Sequence, residues 1–269
     1  MNNKDYQEMR AISSHWLIEM LDSPAACYRK YLDPQRPREQ PTDAMRLGSS
    51  VHCLALTPLQ FGAEFILEMI DRRTKAGKAR YSALTSTGLT VVSPGEFAQA
   101  QAIVAALKAD PEACALLAGG EKEKIIIQVR DQGLLPLKAR LDLYHESRRQ
   151  AIELKTIRNL NAIEAAMRRY RYPLSAAFYQ EMSRCRSVVI IFVENREPFQ
   201  VAIREMEPAQ LEEGRNQWQT ALARFDDCWR RNEWPEAEPA APDDDPLMIP
   251  IIPVPALRRI EIPVGELAL

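Results

Sequence analysis

The stretch LKARLDLYHESRRQAIELKT, residues 137–156, decides how the rest of the chain is read. Two short β-rich runs, LKARLDLY at 137–144 and AIELKT at 151–156, flank turn-like polar residues, the pattern of consecutive strands. Side chains alternate across a strand, so Glu153 and Lys155 share one face while Ile152 and Leu154 take the other. Asp142 lies near the end of the first run, so two acids and a lysine converge. Carboxylates hold hard cations, and a bound cation activates water and neutralises developing charge. A lysine beside them orients the nucleophile or steadies the transition state of phosphodiester hydrolysis. On spacing alone, the same residues fit a cross-strand charge pattern on a wet sheet face. The apolar Ile152 and Leu154 opposite them, among strands that read as buried, call for a charged face that is compensated.

Working outward, IIIQV at 125–129 adds a strand before this pair and completes a meander of three. A helical region from Asn159 to about Met182, broken near Pro173, leads to a buried strand, SVVIIFVEN at 187–195. FQVAIREM at 199–206 closes a hairpin, and 208–232 reads as a long amphipathic helix. Towards the N-terminus, residues 11–32 read as helix with a second start at Ser23-Pro24, and 33–43 as a loop. AMRLGSSVHCLAL at 44–56 is a helix carrying His52, followed by a short one at Thr57-Pro58. DRRTKAGKAR at 71–80 reads as a solvent-facing loop leading into a helix, and Ser93-Pro94-Gly95-Glu96 has capping-box spacing ahead of FAQAQAIVAAL. The expectation is an α/β core between about 44 and 195, a central mixed sheet flanked by helices. It sits in a single domain over 1–235 with an N-terminal helical elaboration. After Trp234-Pro235 the composition shifts to a Pro-rich arm, 236–269, whose IPIIPVP and IEIPV are too apolar to be simply solvated. An arm packed on this chain or on a neighbour is expected.

With 269 residues, 46% hydrophobic and 27% charged, the chain has the composition of a soluble globular protein. The five cysteines are scattered and lack CxxC spacing, which suggests neither a disulfide framework nor structural zinc. MNNKDYQEMR has no signal-type apolar run and no stretch reaches membrane-span length, so a cytoplasmic protein without a membrane partner is expected. A net charge of −2 and a pI near 6.0 exclude a globally basic, passive nucleic-acid binder. Any DNA contact must use local positive charge. Arg72, Arg73, Lys75, Lys78 and Arg80 form one such group, and Arg158, Arg168, Arg169 and Arg171 another; either reads equally as a solvated face. Tyr170, Tyr172, Phe178 and Tyr179 line a channel or fill a core. Taken alone, His52 is more often a satisfied core histidine, and Glu123, in the EKEK run, a surface acid.

In this order, GSSVHCLALTP (48–58), RTKAGKA (73–79), KARLDLY (138–144), IELKT (152–156) and YRYPLSAAFY (170–179) resemble the exodeoxyribonuclease VIII (RecE-type) nuclease domain. That domain is a member of the PD-(D/E)xK, restriction-endonuclease-like superfamily. The resemblance runs from about Ile12 to Pro235. It implies a metal site of His52, Glu123, Asp142 and Glu153, with the carbonyl of Leu154 as a further ligand and Lys155 completing catalysis. Arg73, Lys75, Lys78, Arg140, Tyr172 and Tyr179 are the candidate DNA contacts. The resemblance also implies Mg²⁺-dependent digestion of linear duplex DNA from a 5′ end, with Mn²⁺ as the alternative ion, leaving 3′ single strands for recombination. A ring-like homo-oligomer working with a single-strand annealing protein, in a phage or prophage module, goes with that activity. Three positions depart from the pattern: Glu153 stands for an aspartate, Ser175 for a glutamine, and Leu141 for a proline. Two other readings stand beside it. One is a nuclease of the same fold with different polarity or substrate. The other is a catalytically weak DNA-binding or assembly subunit, motivated by Ser175 and the acidic net charge.

Overall fold

The computed structural model describes residues 3–36, 40–131 and 133–236. All but the first residue of the arm expected at 236–269, including IPIIPVP, lies outside the described residues. In chain order the helices and strands are α1 (Asn3–Glu8), α2 (Ser14–Asp22), α3 (Pro24–Cys27), α4 (Asp43–Leu56), α5 (Phe61–Glu64), β1 (Phe65–Leu67), α6 (Lys75–Ser86), β2 (Thr90–Val92), α7 (Pro94–Ala109), α8 (Pro111–Leu117), β3 (Glu121–Gln128), β4 (Leu137–His145), β5 (Gln150–Ile157), α9 (Ile163–Arg169), α10 (Tyr172–Ser183), β6 (Ser187–Glu194), β7 (Val201–Glu205) and α11 (Pro208–Arg231).

The central sheet runs β3-β4-β5-β6-β7. Every neighbouring pair is antiparallel except β5 and β6, which are parallel and are connected through α9 and α10. This mixed sheet matches the sequence expectation, with β3 beginning at Glu121 rather than at 125. Each face buries its own core. On one face, α2, α9, α10 and α11 pack Trp16, Leu17, Phe178, Trp218 and Phe225 against Ala139, Leu141, Ala151 and Phe192. On the other, Leu47 and Val51 of α4 and Ile103 and Leu107 of α7 meet Leu143, Ile152, Leu154 and Ile191. Each fully buried aliphatic or phenylalanine side chain contributes about 1.5–3 kcal/mol to folding. Gly214 of α11 lies so close to the backbone of Pro173 at the start of α10 that a β-carbon would have no room there.

Local chemistry explains the element starts. Ser93 and Glu96 form the reciprocal capping box expected for α7, with Pro94 in its first turn. The basic stretch 71–80 is only partly a loop: the Thr74 side chain accepts from the Gly77 amide and starts α6 at Lys75. A β-carbon on Gly77 would fall 1.9 Å from the Asp71 carbonyl, so glycine at this position permits the first turn of the helix. The helical region expected at 159–182 is two helices, with the break near Pro173 as expected. The chain turns at Arg171, in the left-handed region with φ 49°, and Pro173 sits in the first turn of α10, where a missing amide costs nothing. A short parallel pair, Phe65–Leu67 with Thr90–Val92, was not legible beforehand.

One irregularity of the sheet positions everything below. β4 and β5 pair through only three positions, Leu143↔Ile152, Tyr144↔Ala151 and His145↔Gln150, and then separate. Beyond that fork β4 stays with β3 and β5 with β6. The free edge at the start of β4 is taken by the N-terminal segment. The Ile12 amide donates to the Pro136 carbonyl and the Lys138 amide to the Ile12 carbonyl, each at 2.8 Å.

Candidate active site

Asp142 and Glu153 stand at the mouth of the fork, the next positions after the last paired residues. Their side chains take over backbone bonds that the missing ladder leaves open. The Leu154 amide donates to Asp142 Oδ2 at 2.8 Å, and the Asp142 amide approaches Glu153 Oε1 at 3.4 Å. Leu141 packs in the first core and Leu143 in the second, so β4 changes the phase of its alternation at Asp142. In the β3–β4 register the residue opposite Asp142 is Glu123, between the pairs Lys122↔Leu143 and Lys124↔Leu141. Glu123 itself has a left-handed backbone, φ 54°, uncommon for a residue with a side chain.

The fourth residue comes from the other side of the sheet. α4 lays Leu47 and Val51 into the second core, which brings His52 Nδ1 to 3.3 Å from Asp142 Oδ1. His52, Glu123 and Asp142 each offer one ligand atom, and these atoms lie within 4.8 Å of one another. Glu123 Oε2 also accepts from Arg140 Nε at 3.0 Å. Across the fork, Lys155 Nζ donates to Glu153 Oε2 at 2.9 Å.

Burying this many charges together sets their protonation. Burial opposes ionisation of Asp142, yet His52 and Lys155 outweigh it and hold the carboxyl well below the usual range. Glu153, only 4% exposed, is pushed the other way by burial and by the Asp142 charge, to about 7. Neighbouring carboxylates thus diverge, as two acids sharing one site must. Burial disfavours the Lys155 ammonium, but Glu153 and Asp142 more than compensate and keep it protonated. His52 follows the same logic: burial lowers its basicity and Asp142 raises it further.

A model of the PDDEXK-like domain of unknown function (DUF3799) matches residues 13–240, most of the chain. The protein belongs to this family. A solved structure of a candidate exonuclease from Eubacterium rectale superposes with a TM-score of 0.64 at 16% identity, covering 88% of each chain. That likeness shows the fold. A phage-related exonuclease from Haemophilus somnus 129PT, at 11% identity, covers 82% of this chain and 96% of its own, with a TM-score of 0.36, too low to carry an argument. A search of curated proteins found none that matches the sequence.

The PDDEXK-like fold therefore collects His52, Glu123, Asp142, Glu153 and Lys155 into one centre. Leu154 is fully buried in the second core and contributes its amide to holding Asp142. Of the residues expected to touch DNA, Arg73, Lys75 and Lys78 are exposed, on or just before α6. Arg140 is engaged with Glu123. Tyr172 is half-buried against Phe192, whereas Tyr179 is buried in the first core, where burial and then Glu153 push its phenol up. Three residues near the site were missed. His15 is exposed at the start of α2. Lys138, 3% exposed, donates to the carbonyls of Tyr6 and Met9 at 2.6 and 2.8 Å. Tyr6 lies under both Lys138 and Arg140, its ring centroid 4.6 and 5.2 Å from the charges. The signal was present in the alternation Lys138, Arg140, Asp142 between apolar residues, which marks one whole charged edge of β4.

Proposed function

We propose that this protein is a metal-dependent exodeoxyribonuclease that acts on the ends of linear duplex DNA. It degrades 5′→3′ and leaves 3′ single strands. The observation that carries this reading is the convergence of His52, Glu123 and Asp142 within 4.8 Å beside the Glu153–Lys155 pair, in a PDDEXK-like fold. One imidazole nitrogen and several carboxylate oxygens, partly buried, suit a small divalent cation; the carboxylates favour Mg²⁺, with Mn²⁺ the alternative. Such an ion, when bound, lowers the pKa of water and offsets the charge that builds on the phosphate.

The chain's own residues do the rest. The Leu154 amide fixes one oxygen of Asp142, which leaves the other directed towards His52 and the shared ligand position. Glu123 and Glu153 complete the donor set from the neighbouring strands. Glu153 and Asp142 favour the charged form of Lys155, and its ammonium suits it to orient the attacking water or stabilise the phosphoryl oxygens. Arg73, Lys75 and Lys78 are exposed cations suited to positioning the phosphate backbone, the local charge that a chain of net −2 requires. The same reading places the protein in the cytoplasm as a homo-oligomeric ring that hands its product to a single-strand annealing protein.

The test is a time course on linear duplex DNA with separate 5′ and 3′ labels, in Mg²⁺ or EDTA, for wild type and Lys155→Ala. Metal-dependent loss of the 5′ label with wild type alone is expected. Intact DNA under all conditions would contradict the activity, and loss of the 3′ label first would reverse the polarity.

A further inference from the structure

The ring system on the α9–α10 side of the site has no role in the chemistry above. Tyr170 is a large aromatic that remains 52% exposed. Its ring stacks on Tyr172, with centroids 5.7 Å apart and planes 26° apart. Tyr172 in turn meets Phe192 at 6.1 Å and 40°. Phe192 is the β6 residue paired directly with Lys155 of β5. The three rings therefore form a continuous ladder from solvent to the residue beside the catalytic lysine.

Two features hold the outer rung in place. Arg171, between the two tyrosines, adopts the left-handed conformation, which turns residues 170 and 172 onto one stack instead of opposite sides of a helix. Its guanidinium is tied to Asp22 of α2 at 2.8 Å. The surroundings are cationic: Arg168 and Arg169 are exposed at the end of α9, and the Arg169 guanidinium lies 5.7 Å from the Tyr170 ring centre.

We infer that Tyr170 and Tyr172 form a stacking platform for an unpaired nucleobase of the strand whose backbone enters the Glu153–Lys155 site. An exposed ring pre-stacked on a second ring offers a π-face to any base, and neighbouring arginines attract the phosphates that join one base to the next. A base inside a duplex is already covered by its neighbours, so the occupant is single-stranded DNA or a terminal nucleotide opened from its partner. The platform therefore specifies that the strand reaches the metal centre unpaired. This inference rests on the nuclease reading of that centre.

The experiment is equilibrium binding of end-labelled single-stranded oligonucleotides in Ca²⁺, followed by anisotropy over a range of salt concentrations. The proteins compared are wild type, Tyr170→Ala, Tyr170→Trp and Arg168→Ala. The DNA is either a normal strand or one with abasic sites throughout. Tyr170→Ala is expected to weaken binding of the normal strand about tenfold without changing the salt dependence, and Tyr170→Trp to restore it. Arg168→Ala should instead flatten the salt dependence by about one charge. On the abasic strand, wild type and Tyr170→Ala should bind alike. Equal binding of the normal strand by wild type and Tyr170→Ala would overturn the platform and leave the nuclease reading standing. With a duplex carrying a free end added to the titrations, failure of wild type to bind either strand or the duplex would overturn both.

Discussion

The two ends of the β4–β5 pair follow opposite rules. At the closed end the strands are joined by regular pairing, with Leu143 and Ile152 fully buried in one core and Ala151 and Tyr144 in the other. At the open end the same strands carry Lys138, Arg140, Asp142, Glu153 and Lys155 in buried or half-buried positions, and side chains replace the ladder. Backbone pairing and apolar contact stabilise the first arrangement wherever it occurs in a protein. The second is stable only as a network, because each buried charge costs several kcal/mol unless its partners are present. The difference teaches that the fork is a place where regular pairing yields to a cluster of charges: separation of the strands makes room for the carboxylates, and on the proposed function for a cation beside them.

Substitutions at the two ends should therefore fail in different ways. The largest effect is expected at the open end: on the proposed function, Asp142→Ala lowers cleavage of linear duplex DNA by roughly a thousandfold or more, the loss expected when a proposed metal ligand is removed. The same variant should keep its circular dichroism spectrum. Cleavage at near wild-type rate by Asp142→Ala would break the comparison. At the closed end, Ile152→Ala is expected to cost about 2–5 kcal/mol in urea unfolding through lost burial and a cavity, while the residual folded protein remains active. A stability loss below about 1 kcal/mol there would mean the closed end is not the anchor.

A smaller effect sharpens the role of the α4 side. His52→Ala removes one of the three side chains whose donor atoms converge, and, on the proposed function, calorimetric titration should show metal affinity reduced about 10- to 100-fold. A separate effect, on stability and not on metal affinity, concerns Lys138, whose burial, with help from Arg140, pulls it from 10.5 to about 8. Below pH 8 the folded protein carries this buried cation at a cost. Between about pH 8 and 10.5 the unfolded chain binds more protons at this site than the folded one, so this contribution makes stability rise with pH. The gain should reach no more than about 3 kcal/mol and vanish in Lys138→Met. Identical pH profiles for the two proteins would show that the residue is not held as described.

Much of this was legible because it rests on local pattern. The meander, the β6–β7 hairpin, the α7 capping box and α11 all follow from periodicity and caps that involve neighbouring residues. Asp142, Glu153 and Lys155 were legible as an alternating charge pattern in apolar strands. The fork was not, since nothing in residues 150–157 says that β5 leaves β4 after three pairs. Nor was the phase change at Asp142, opposite which Glu123 takes a left-handed backbone. His52 and Glu123 gained meaning only from the resemblance, because their partners are distant in sequence. Tyr6 and Lys138 escaped notice for the same reason: they meet across 132 residues when the N-terminal segment covers the edge β5 abandons. The start of α6 inside the basic stretch was less legible, because Gly77, a poor helix former, sits in its first turn where only glycine fits.

The central claim is that the charges at the open end exist to hold a metal ion. It is tested most directly by isothermal titration of the protein with Mn²⁺ at pH 8, comparing wild type with Asp142→Ala and with the closed-end variant Ile152→Ala. Saturable binding that Asp142→Ala abolishes and Ile152→Ala retains is the predicted result; binding to Asp142→Ala with undiminished affinity, or none to wild type at millimolar Mn²⁺, would contradict it.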